Sequence, residues 1–256
     1  MPVTIEEYEK LLPHANVDHG GVKMRFFTPS TMALLRVQTI YEKEPWTLEW
    51  IAGFEEDDVF LDCGANVGMY SIWAAATRRA HVYAFEPESQ NYAILNRNIR
   101  LNGVGDRVTA YCAGLSDRSG LSTLHMTELD PGGSCSAMGE PLDYKQEPMK
   151  VAYRQGCVSA TLDELVSAGA IPAPDHIKID VDGIEPKVIA GARNTLADPT
   201  VKSLLIETNQ NLEGHMAMVR ELGGMGFRHD PAQVARAERR EGAFTGVAEY
   251  IFHRVT

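Results

Sequence analysis

The loop at residues 61–68, Leu-Asp-Cys-Gly-Ala-Asn-Val-Gly, is the clearest sign of chemistry in the chain. It follows an apolar run and opens a helix-like stretch, so Gly64 and Gly68 would let the backbone turn tightly and approach a ligand. Glu86 ends the next apolar run, eighteen positions beyond Gly68. There a carboxylate can accept hydrogen bonds from both hydroxyls of a ribose. Together the two features predict a nucleoside site.

The residue types in this loop favour S-adenosylmethionine over NAD as the nucleoside. The loop lacks the strict G-x-G-x-x-G spacing that is typical of NAD sites. Asp62 would lie beside the pyrophosphate of NAD, which is normally bound by helix N–H groups without a competing anion. A carboxylate there instead suits the cationic amino group of a methionyl moiety, directly or through water. We therefore expect S-adenosylmethionine as the cofactor.

Acidic residues gather where two later strands are predicted to end. Asp180 and Asp182 end the fourth strand, with Glu185 shortly after, and Glu207 and Asn209 end the fifth. Ligand sites in a parallel α/β sheet lie beyond the carboxyl ends of the strands, so these five should converge near the transferred methyl group. A hydroxyl acceptor needs a base to remove its proton. Asp180 or Asp182 is the predicted catalytic base.

Other interpretations of these acids stay open. Asp182 precedes Gly183 and could cap the next helix, with Glu185 in its first turn. Asp180, Asp182, Glu207 and Asn209 also offer the hard oxygen ligands that suit Mg²⁺, and a bound Mg²⁺ would activate a hydroxyl without a histidine. Lys178 is expected only to pair with an acid.

Four histidines separate by their positions along the strands. His81 and His176 begin their strands, so they should face the edge opposite the ligand and be structural. His125 and His215 lie in segments that can reach the pocket. Of these, His215 is the next candidate for the base after the two aspartates.

Alternating strands and helices are predicted to position these residues. Continuously apolar runs, typical of strands covered on both faces, occur at 59–63, 81–86, 107–113, 176–180 and 203–208. Helical spacing occurs at 68–79 and at 89–103, where Asn102-Gly103 is a helix stop. The alternation predicts a doubly wound, mostly parallel α/β sheet with an antiparallel C-terminal strand.

Two segments interrupt this alternation. Residues 1–57 precede the first strand and are expected to form a helical cap on the acceptor side. Residues 116–160 are rich in Gly, Ser and Pro, and we expect an inserted excursion, partly strand and partly mobile loop. It belongs to the main domain, residues 58–256.

The composition disfavours several classes of function. The net charge is -11, from 24 basic and 35 acidic residues, so a nucleic-acid partner is not expected. The adjacent pairs Arg78-Arg79 and Arg239-Arg240 are expected on solvated surfaces. No apolar run approaches the roughly 20 residues that span a bilayer, and the N-terminus lacks a signal-peptide pattern. We expect a cytoplasmic protein that binds no membrane and whose four scattered cysteines are free thiols.

Several of these segments resemble the FkbM-type methyltransferases. The similar segments are VFLDCGANVGMYS, VYAFEPESQNYAILNRNIRLN, AGLSDRSG and TLDELV with DHIKIDVDGIEPKVIAGA, within residues 40–210. The resemblance implies a class I methyltransferase fold and an S-adenosylmethionine-dependent O-methyltransferase, acting on hydroxyls of natural products or sugars. Cys63 stands where this family usually has valine or isoleucine, a sterically similar change.

The resemblance and the strand positions together assign a cofactor site. YEKEPWTLEWI resembles the family's stretch before the first strand, which implies that Glu44 closes over the cofactor. Gly64, Ala65 and Asn66 should line the methionine and ribose, and Glu86 should hold the ribose. Ala113, Gly114 and Leu115 should flank the adenine, and Asp180 is a further contact.

Three rival functions are weighed against this one. An N-methyltransferase acting on nucleic-acid bases typically carries [ND]-P-P-[YFW] after the fourth strand, where this chain has Asp180-Val181-Asp182-Gly183. An NAD(P)-dependent oxidoreductase is disfavoured by the glycine spacing and by Asp62. A catalytically inactive, cofactor-binding scaffold protein stays open, as does a homo-oligomer.

Overall fold

The computed structural model describes residues 3–255, which contain thirteen strands and eleven helices. The strands are β1 (His14–His19), β2 (Val22–Phe27), β3 (Val59–Cys63), β4 (His81–Phe85), β5 (Val108–Tyr111), β6 (Gly114–Leu115), β7 (Gly120–Met126), β8 (Ala137–Met138), β9 (Tyr153–Ala160), β10 (His176–Ile179), β11 (Ser203–Asn209), β12 (Phe227–His229) and β13 (Val247–Arg254). The helices are α1 (Ile5–Lys10), α2 (Thr31–Gln38), α3 (Ile40–Lys43), α4 (Pro45–Ala52), α5 (Met69–Arg78), α6 (Ser89–Asn102), α7 (Leu162–Ser167), α8 (Glu185–Ala190), α9 (Arg193–Ala197), α10 (Glu213–Gly224) and α11 (Pro231–Ala237).

A seven-stranded sheet carries the fold, in the order β12-β13-β11-β10-β3-β4-β5. The five strands from β11 to β5 are parallel, whereas β13 is antiparallel to both β11 and β12. The predicted doubly wound, mostly parallel sheet with an antiparallel C-terminal strand is confirmed. The strand order reverses between β3 and β10, and ligands of such sheets bind at this switch point.

Both faces of the sheet are buried, which explains the continuously apolar strands. Phe60 packs with Ile72 and Trp73 of α5 on one face. Its neighbour Leu61 belongs to a second cluster on the other face, together with Val188 of α8. Successive side chains of a strand point to opposite faces, so a strand inside two layers must be apolar throughout.

The helices after β3 and β4 begin and end where glycine permits. Gly68 has a φ of 84° and directly precedes α5. α6 ends at Asn102, followed by Gly103 with a φ of 63°, which confirms the predicted stop. At the start of α6 the Glu88 side chain accepts hydrogen bonds from the amides of Gln90 and Asn91.

The N-terminal segment contains the expected helices together with a hairpin that the sequence analysis did not predict. Strands β1 and β2 pair antiparallel around Gly20 and Gly21, both with positive φ. Met24 and Phe26 of β2 are fully buried in the same cluster as Phe60. This segment therefore shares its core with the main sheet.

The excursion at residues 116–160 is partly strand, as predicted. Strands β7, β8 and β9 join β6 in a second sheet of order β6-β9-β7-β8. Irregular chain between β7 and β8 lies against the carboxyl edge of the central sheet. Within residues 3–255, no helix is long and apolar enough to cross a membrane.

Candidate active site

A cavity of about 300 Å³ opens at the carboxyl ends of β3, β4, β10 and β11. It lies at the switch point of the sheet, and its size is at the lower end of small-molecule sites. Ten of the predicted site residues line it: Glu44, Gly64, Ala65, Asn66, Glu86, Gly114, Leu115, Asp180, Asp182 and Glu207. Five others lie outside the lining in the described chain: Asp62, Gly68, Ala113, Asn209 and His215.

The glycine loop passes directly under the cavity. Gly64 has a φ of 83°, and a Cβ there would overlap the backbone carbonyl of Asp180. Gly68 packs against Leu95, and a side chain at 68 would collide with it. The two glycines therefore permit the close approach of β3, β10 and α6 that forms the floor of the site.

Glu86 joins the glycine loop to the end of β4. One carboxyl oxygen accepts the amide of Asn66 at 2.7 Å, and the other accepts the amide of Glu88 at 2.8 Å. Burial raises the pKa of Glu86 to about 7. A carboxyl oxygen has two lone pairs, so each oxygen keeps a free acceptor site for a ribose hydroxyl.

The wall predicted to flank adenine is partly apolar. Gly114 and Leu115 line the cavity, facing Leu124 and Met138 of the inserted sheet. A Cβ at Gly114 would collide with the Met138 side chain. Leu124 and Met138 were not predicted from the sequence, because their contact with β6 depends on the pairing of β7, β8 and β9.

Asp62 lies beneath the glycine loop rather than on the cavity wall. It is 1% exposed, and its Oδ2 accepts the Ser71 hydroxyl at 2.5 Å. Burial raises the pKa of Asp62. Its contact with the methionyl amino group stays a prediction, and Glu44 is an acid that does line the cavity.

Asp180 is paired with a buried cation. The Lys178 ammonium, almost fully buried, donates to Asp180 Oδ2 at 2.8 Å, which confirms that Lys178 pairs with an acid. Although burial acts to raise the pKa of Asp180, the charges of Lys178 and Lys43 lower it well below its usual range. Asp180 is therefore a permanently ionised group at neutral pH.

Asp182 lines the same cavity in a different electrostatic environment. Its backbone is left-handed, with a φ of 58°, and its Oδ2 accepts the Cys135 amide at 2.7 Å. Burial, followed by the negative charge of Asp180, raises the pKa of Asp182 to about 6. Asp182 does not cap α8, because the N-cap is Ile184 without a side-chain hydrogen bond, but Glu185 is in the first turn of that helix as predicted.

Sequence comparison identifies the family to which this site belongs. A family model described as the methyltransferase FkbM domain matches residues 62–229, well over half of the chain. The chain belongs to the FkbM methyltransferase family. It is an S-adenosylmethionine-dependent methyltransferase, as the sequence segments implied.

Two relatives and one solved structure illustrate the likeness. The hexuronic acid methyltransferase AglP of Haloferax volcanii is 27% identical over 195 residues, 76% of this chain and 74% of AglP. The 2-O-methyltransferase NoeI of Sinorhizobium fredii is 30% identical over 151 residues, 55% of this chain and 59% of NoeI. In fold, the chain resembles Aeropyrum pernix fibrillarin, solved with natively bound S-adenosyl-L-methionine. The TM-score is 0.51 at 12% identity, covering 94% of this chain and 82% of fibrillarin.

The far wall of the cavity in this FkbM methyltransferase contains an arginine between two acids. Arg239 lies 2.9 Å from Glu207 and 3.0 Å from Glu249, and it lines the cavity beside Phe244. The prediction that Arg239 lies on a solvated surface was wrong, because its side chain is only 24% exposed. Burial and the charge of Asp180 raise the pKa of Glu207, against the effect of Arg239.

Asn209 and His215 adjoin a separate cavity of about 10 Å³, which also touches Glu185 and Glu207. The Nδ1 atom of His215 accepts the Asn209 amide at 3.2 Å. Burial lowers the pKa of His215. His125 is also buried, and its Nε2 bonds the Gly139 carbonyl oxygen at 3.0 Å. Neither histidine lines the large cavity in the described chain.

The four candidate Mg²⁺ ligands have other partners. Asp180 bonds Lys178, Asp182 bonds the Cys135 amide, and Glu207 pairs with Arg239. Asn209 donates its side-chain amide to the Tyr144 carbonyl. Among residues 3–255, no three His, Cys, Asp or Glu side chains are arranged to hold a metal. The residues do not fit the Mg²⁺ site that the sequence suggested.

Residues 130–136, here called the strap, lie in the inserted excursion and cover the site. The Gly133 carbonyl accepts the side-chain amides of Asn66 and Asn91 at 2.6 and 3.2 Å. At the other end of the strap, the Cys135 amide binds Asp182. The Gly-Gly-Ser composition of the strap indicated only a loop, since its partners are distant in sequence.

Proposed function

We propose that this enzyme transfers a methyl group from S-adenosylmethionine to a hydroxyl oxygen of a small molecule or sugar. The main supporting observation is that a single cavity is lined by Gly64 and Glu86 on one side and by the half-buried Asp182 on the other. The relative named for hexuronic acid supports a sugar acceptor, and the relative named as a 2-O-methyltransferase supports transfer to oxygen.

The cofactor half of the cavity would be formed by the predicted residues that line it. Glu86 would bind the ribose hydroxyls, and Gly114 and Leu115 would leave a flat space for the adenine. Asp180, ionised beside Lys178, would attract the cationic end of the methionyl group together with Glu44. S-adenosylmethionine, when bound, supplies an electrophilic methyl group on a sulfonium sulfur.

Asp182 is the proposed general base. Its carboxylate takes the proton of the acceptor hydroxyl while the oxygen–methyl bond forms and the sulfur–methyl bond breaks, leaving a neutral thioether. A pKa of about 6 leaves Asp182 mostly ionised at neutral pH, yet more basic than an ordinary aspartate. Asp180 is a much weaker base because Lys178 and Lys43 stabilise its charge.

A labelled-methyl transfer screen tests the proposal. Purified protein is incubated with methyl-labelled S-adenosylmethionine and a panel of hexoses, hexuronic acids and hydroxylated natural products. We expect label in a product that survives mild alkali, because a methyl ether is stable there and a methyl ester is hydrolysed. Asp182→Asn is the control that should transfer no label. Alkali-labile label, or label on nitrogen, would contradict transfer to a hydroxyl.

The location and the oligomeric state of the enzyme are separate questions from its chemistry. A cytoplasmic location and association with a second copy of the chain stay predictions from the sequence. Gel filtration combined with light scattering would measure the oligomeric state directly.

A further inference from the structure

Glu185 is a buried acid that binds the backbone on both sides of Asp182. In the described chain it does not line the large cavity. It is the first residue of α8 and is 1% exposed. Its Oε1 accepts the Val181 amide at 3.1 Å and the Gly183 amide at 3.2 Å, and its Oε2 also accepts the Gly183 amide at 3.1 Å. These amides belong to the residues immediately before and after Asp182. The Glu185 side chain therefore holds both sides of the turn that carries Asp182.

The turn needs such support because of its backbone conformation. Asp182 has a φ of 58°, in the left-handed region that non-glycine residues seldom adopt. A residue keeps this conformation only where its surroundings hold it. Without Glu185, two backbone N–H groups at the turn would lose their acceptor, which favours rearrangement. The direction of the Asp182 side chain therefore depends on Glu185.

His215 supports Glu185 from the side away from the cavity. Since Nδ1 of His215 accepts the Asn209 amide, the proton of the neutral ring must be on Nε2. Nε2 lies 3.5 Å from Glu185 Oε2, a contact without a hydrogen bond. Both side chains are almost fully buried, so the ring limits the movement of the carboxyl group.

We propose that Glu185 is a positioning residue of the transfer reaction, which holds the Val181 and Gly183 amides so that Asp182 faces the acceptor, with His215 as its support. This inference rests on the proposed function, because it concerns the residue that takes the acceptor's proton. It also gives His215 a positioning role in place of the catalytic role predicted from the sequence.

The role depends on hydrogen-bond acceptance rather than on charge. Burial raises the pKa of Glu185 to about 8, so a large share of the side chain is neutral at pH 7. Glutamine has nearly the same shape as this neutral acid and keeps an oxygen at the position of Oε1, the atom that accepts both amides. Leucine has a similar size and no acceptor.

Glu185→Gln and Glu185→Leu form a matched pair for the test. Hydrogen exchange at the Val181 and Gly183 amides is measured by NMR, alongside kcat, the KM for S-adenosylmethionine and the Kd for S-adenosylhomocysteine. In Glu185→Leu we expect exchange at both amides to accelerate about tenfold or more as their bonds open. We expect kcat to fall about thirtyfold or more, while KM and Kd change less than about threefold.

Three further variants complete the experiment. Glu185→Gln should keep slow exchange at both amides and a kcat within about threefold of the unmodified enzyme. His215→Leu should give an intermediate loss of kcat. Glu221→Leu, on the same helix as His215 but paired with the exposed Arg193, should change none of these quantities.

Specific results would overturn the inference. Unchanged exchange in Glu185→Leu would mean that the turn holds itself, and a preserved kcat despite faster exchange would separate the turn from Asp182. A parallel loss of S-adenosylhomocysteine binding would mean that Glu185 supports the whole fold. If the unmodified enzyme methylates no hydroxyl, the proposed function fails, whereas the exchange measurement still decides whether Glu185 holds the turn.

Discussion

Asp180 and Asp182 are separated by one residue, yet their surroundings give them different chemistry. Asp180 lies 2.8 Å from the Lys178 ammonium, whereas Asp182 accepts a neutral backbone amide. Two carboxyls that share one site cannot both be strong acids, so the neighbour without a cation retains its proton to higher pH. The sequence alone could not choose between them, because the choice depends on where the Lys178 side chain lies.

Replacing Asp182 should stop turnover and leave the cofactor site intact. We expect Asp182→Asn to lower kcat about a hundredfold or more, which is the usual contribution of a general base. Its Kd for S-adenosylhomocysteine, measured by calorimetry, should stay within about threefold, since Asn can also accept the Cys135 amide. An active Asp182→Asn enzyme would exclude Asp182 as the base.

The pH dependence of the unmodified enzyme follows from the same group. Protonation removes the base, so kcat/KM should fall as the pH drops below about 6, the pKa of Asp182. The charge of Asp180 helps to raise that pKa, so Asp180→Asn should move this decline to lower pH. A move to higher pH would contradict the assignment.

Loss of the Glu86 side chain should lower the affinity for the cofactor. Glu86→Ala removes the acceptor of the Asn66 and Glu88 amides and the proposed ribose ligand together. We expect the Kd for S-adenosylhomocysteine to rise about tenfold or more. Glu49→Gln, an exposed charge on α4, is the control and should bind normally. Unchanged affinity in Glu86→Ala would refute the ribose assignment.

At the scale of elements, the strap connects the cofactor loop to the proposed base. It is held by Asn66 and Asn91 at Gly133, by Arg36 at Gly132 and by Asp182 at Cys135. Because one short segment touches both halves of the cavity, a displacement of the strap should affect binding and turnover together.

Two glycines with similar backbones offer a matched test of the strap. Gly132 has a φ of 85°, and an added Cβ would lie 2.9 Å from the backbone nitrogen of Ala33. Gly139 has a φ of 90°, with nothing nearer than 4.0 Å. We expect Gly132→Ala to lower kcat about tenfold and to weaken S-adenosylhomocysteine binding, because the strap must move away from α2. Gly139→Ala introduces a similar backbone strain, and its kcat and its Kd for S-adenosylhomocysteine should stay within about twofold of the unmodified values. Equal effects in both variants would contradict the role of the strap.

The elements of the central sheet could be predicted because burial on both faces leaves a continuous apolar signal. β3 was predicted at the residues where it occurs, and the others differ by a few residues at their ends. The hairpin of β1 and β2 was missed because β1 is mostly exposed and only Val17 is buried. Its remaining signal was the Gly20-Gly21 pair, which is typical of a tight turn.

Site residues that lie at strand ends could be predicted from the sequence. Site residues that reach the cavity through long-range contacts could not. Asp182 and Glu86 follow directly from their strands. Arg239 reaches the cavity only because β13 pairs with β11, which places it beside Glu207. Pairing between strands that are distant in sequence leaves no local pattern around Arg239, so its position could not be predicted.

At the scale of the whole molecule, a second polar network lies at the opposite edge of the sheet. His176 Nδ1 lies 2.8 Å from the Ser203 hydroxyl, and His176 Nε2 lies 2.9 Å from Asp58. Trp50 donates its indole N–H to Ser203 Oγ at 2.8 Å. Ser203 is buried beneath this contact, so the serine, histidine and aspartate join elements of the core rather than form a reactive site.

This network fixes the protonation state of His176. A neutral ring donates from Nε2 to Asp58 and accepts the Ser203 hydroxyl at Nδ1, which leaves Ser203 Oγ free to accept from Trp50. A second proton on the ring would leave the Ser203 hydroxyl without an acceptor. Burial lowers the pKa of His176, although Asp58 acts to raise it. The ring therefore stays neutral in the folded protein at pH values where it is charged in the unfolded chain.

His176 should consequently make the folded state sensitive to acid. Its folded pKa is below the unfolded value of about 6.5, so its contribution to stability is complete above that pH and declines as the pH falls. The slope from one such group is at most about 1.4 kcal/mol per pH unit. His215 and His229 add in the same direction, whereas Glu86 and Glu185, with raised pKa values, act in the opposite one.

The contribution of His176 to stability is therefore measured as the difference between the unmodified protein and a variant. We expect His176→Gln to cost about 1–3 kcal/mol of unfolding free energy at pH 7, because it disrupts a buried hydrogen-bonded network. Between pH 7 and 5.5, however, urea unfolding of the variant should lose about 1 kcal/mol less than the unmodified protein loses. His81→Gln is the control, since His81 also begins a strand but has a side chain that is 44% exposed. Equal pH slopes in His176→Gln and the unmodified protein would mean that folding does not lower the pKa of His176.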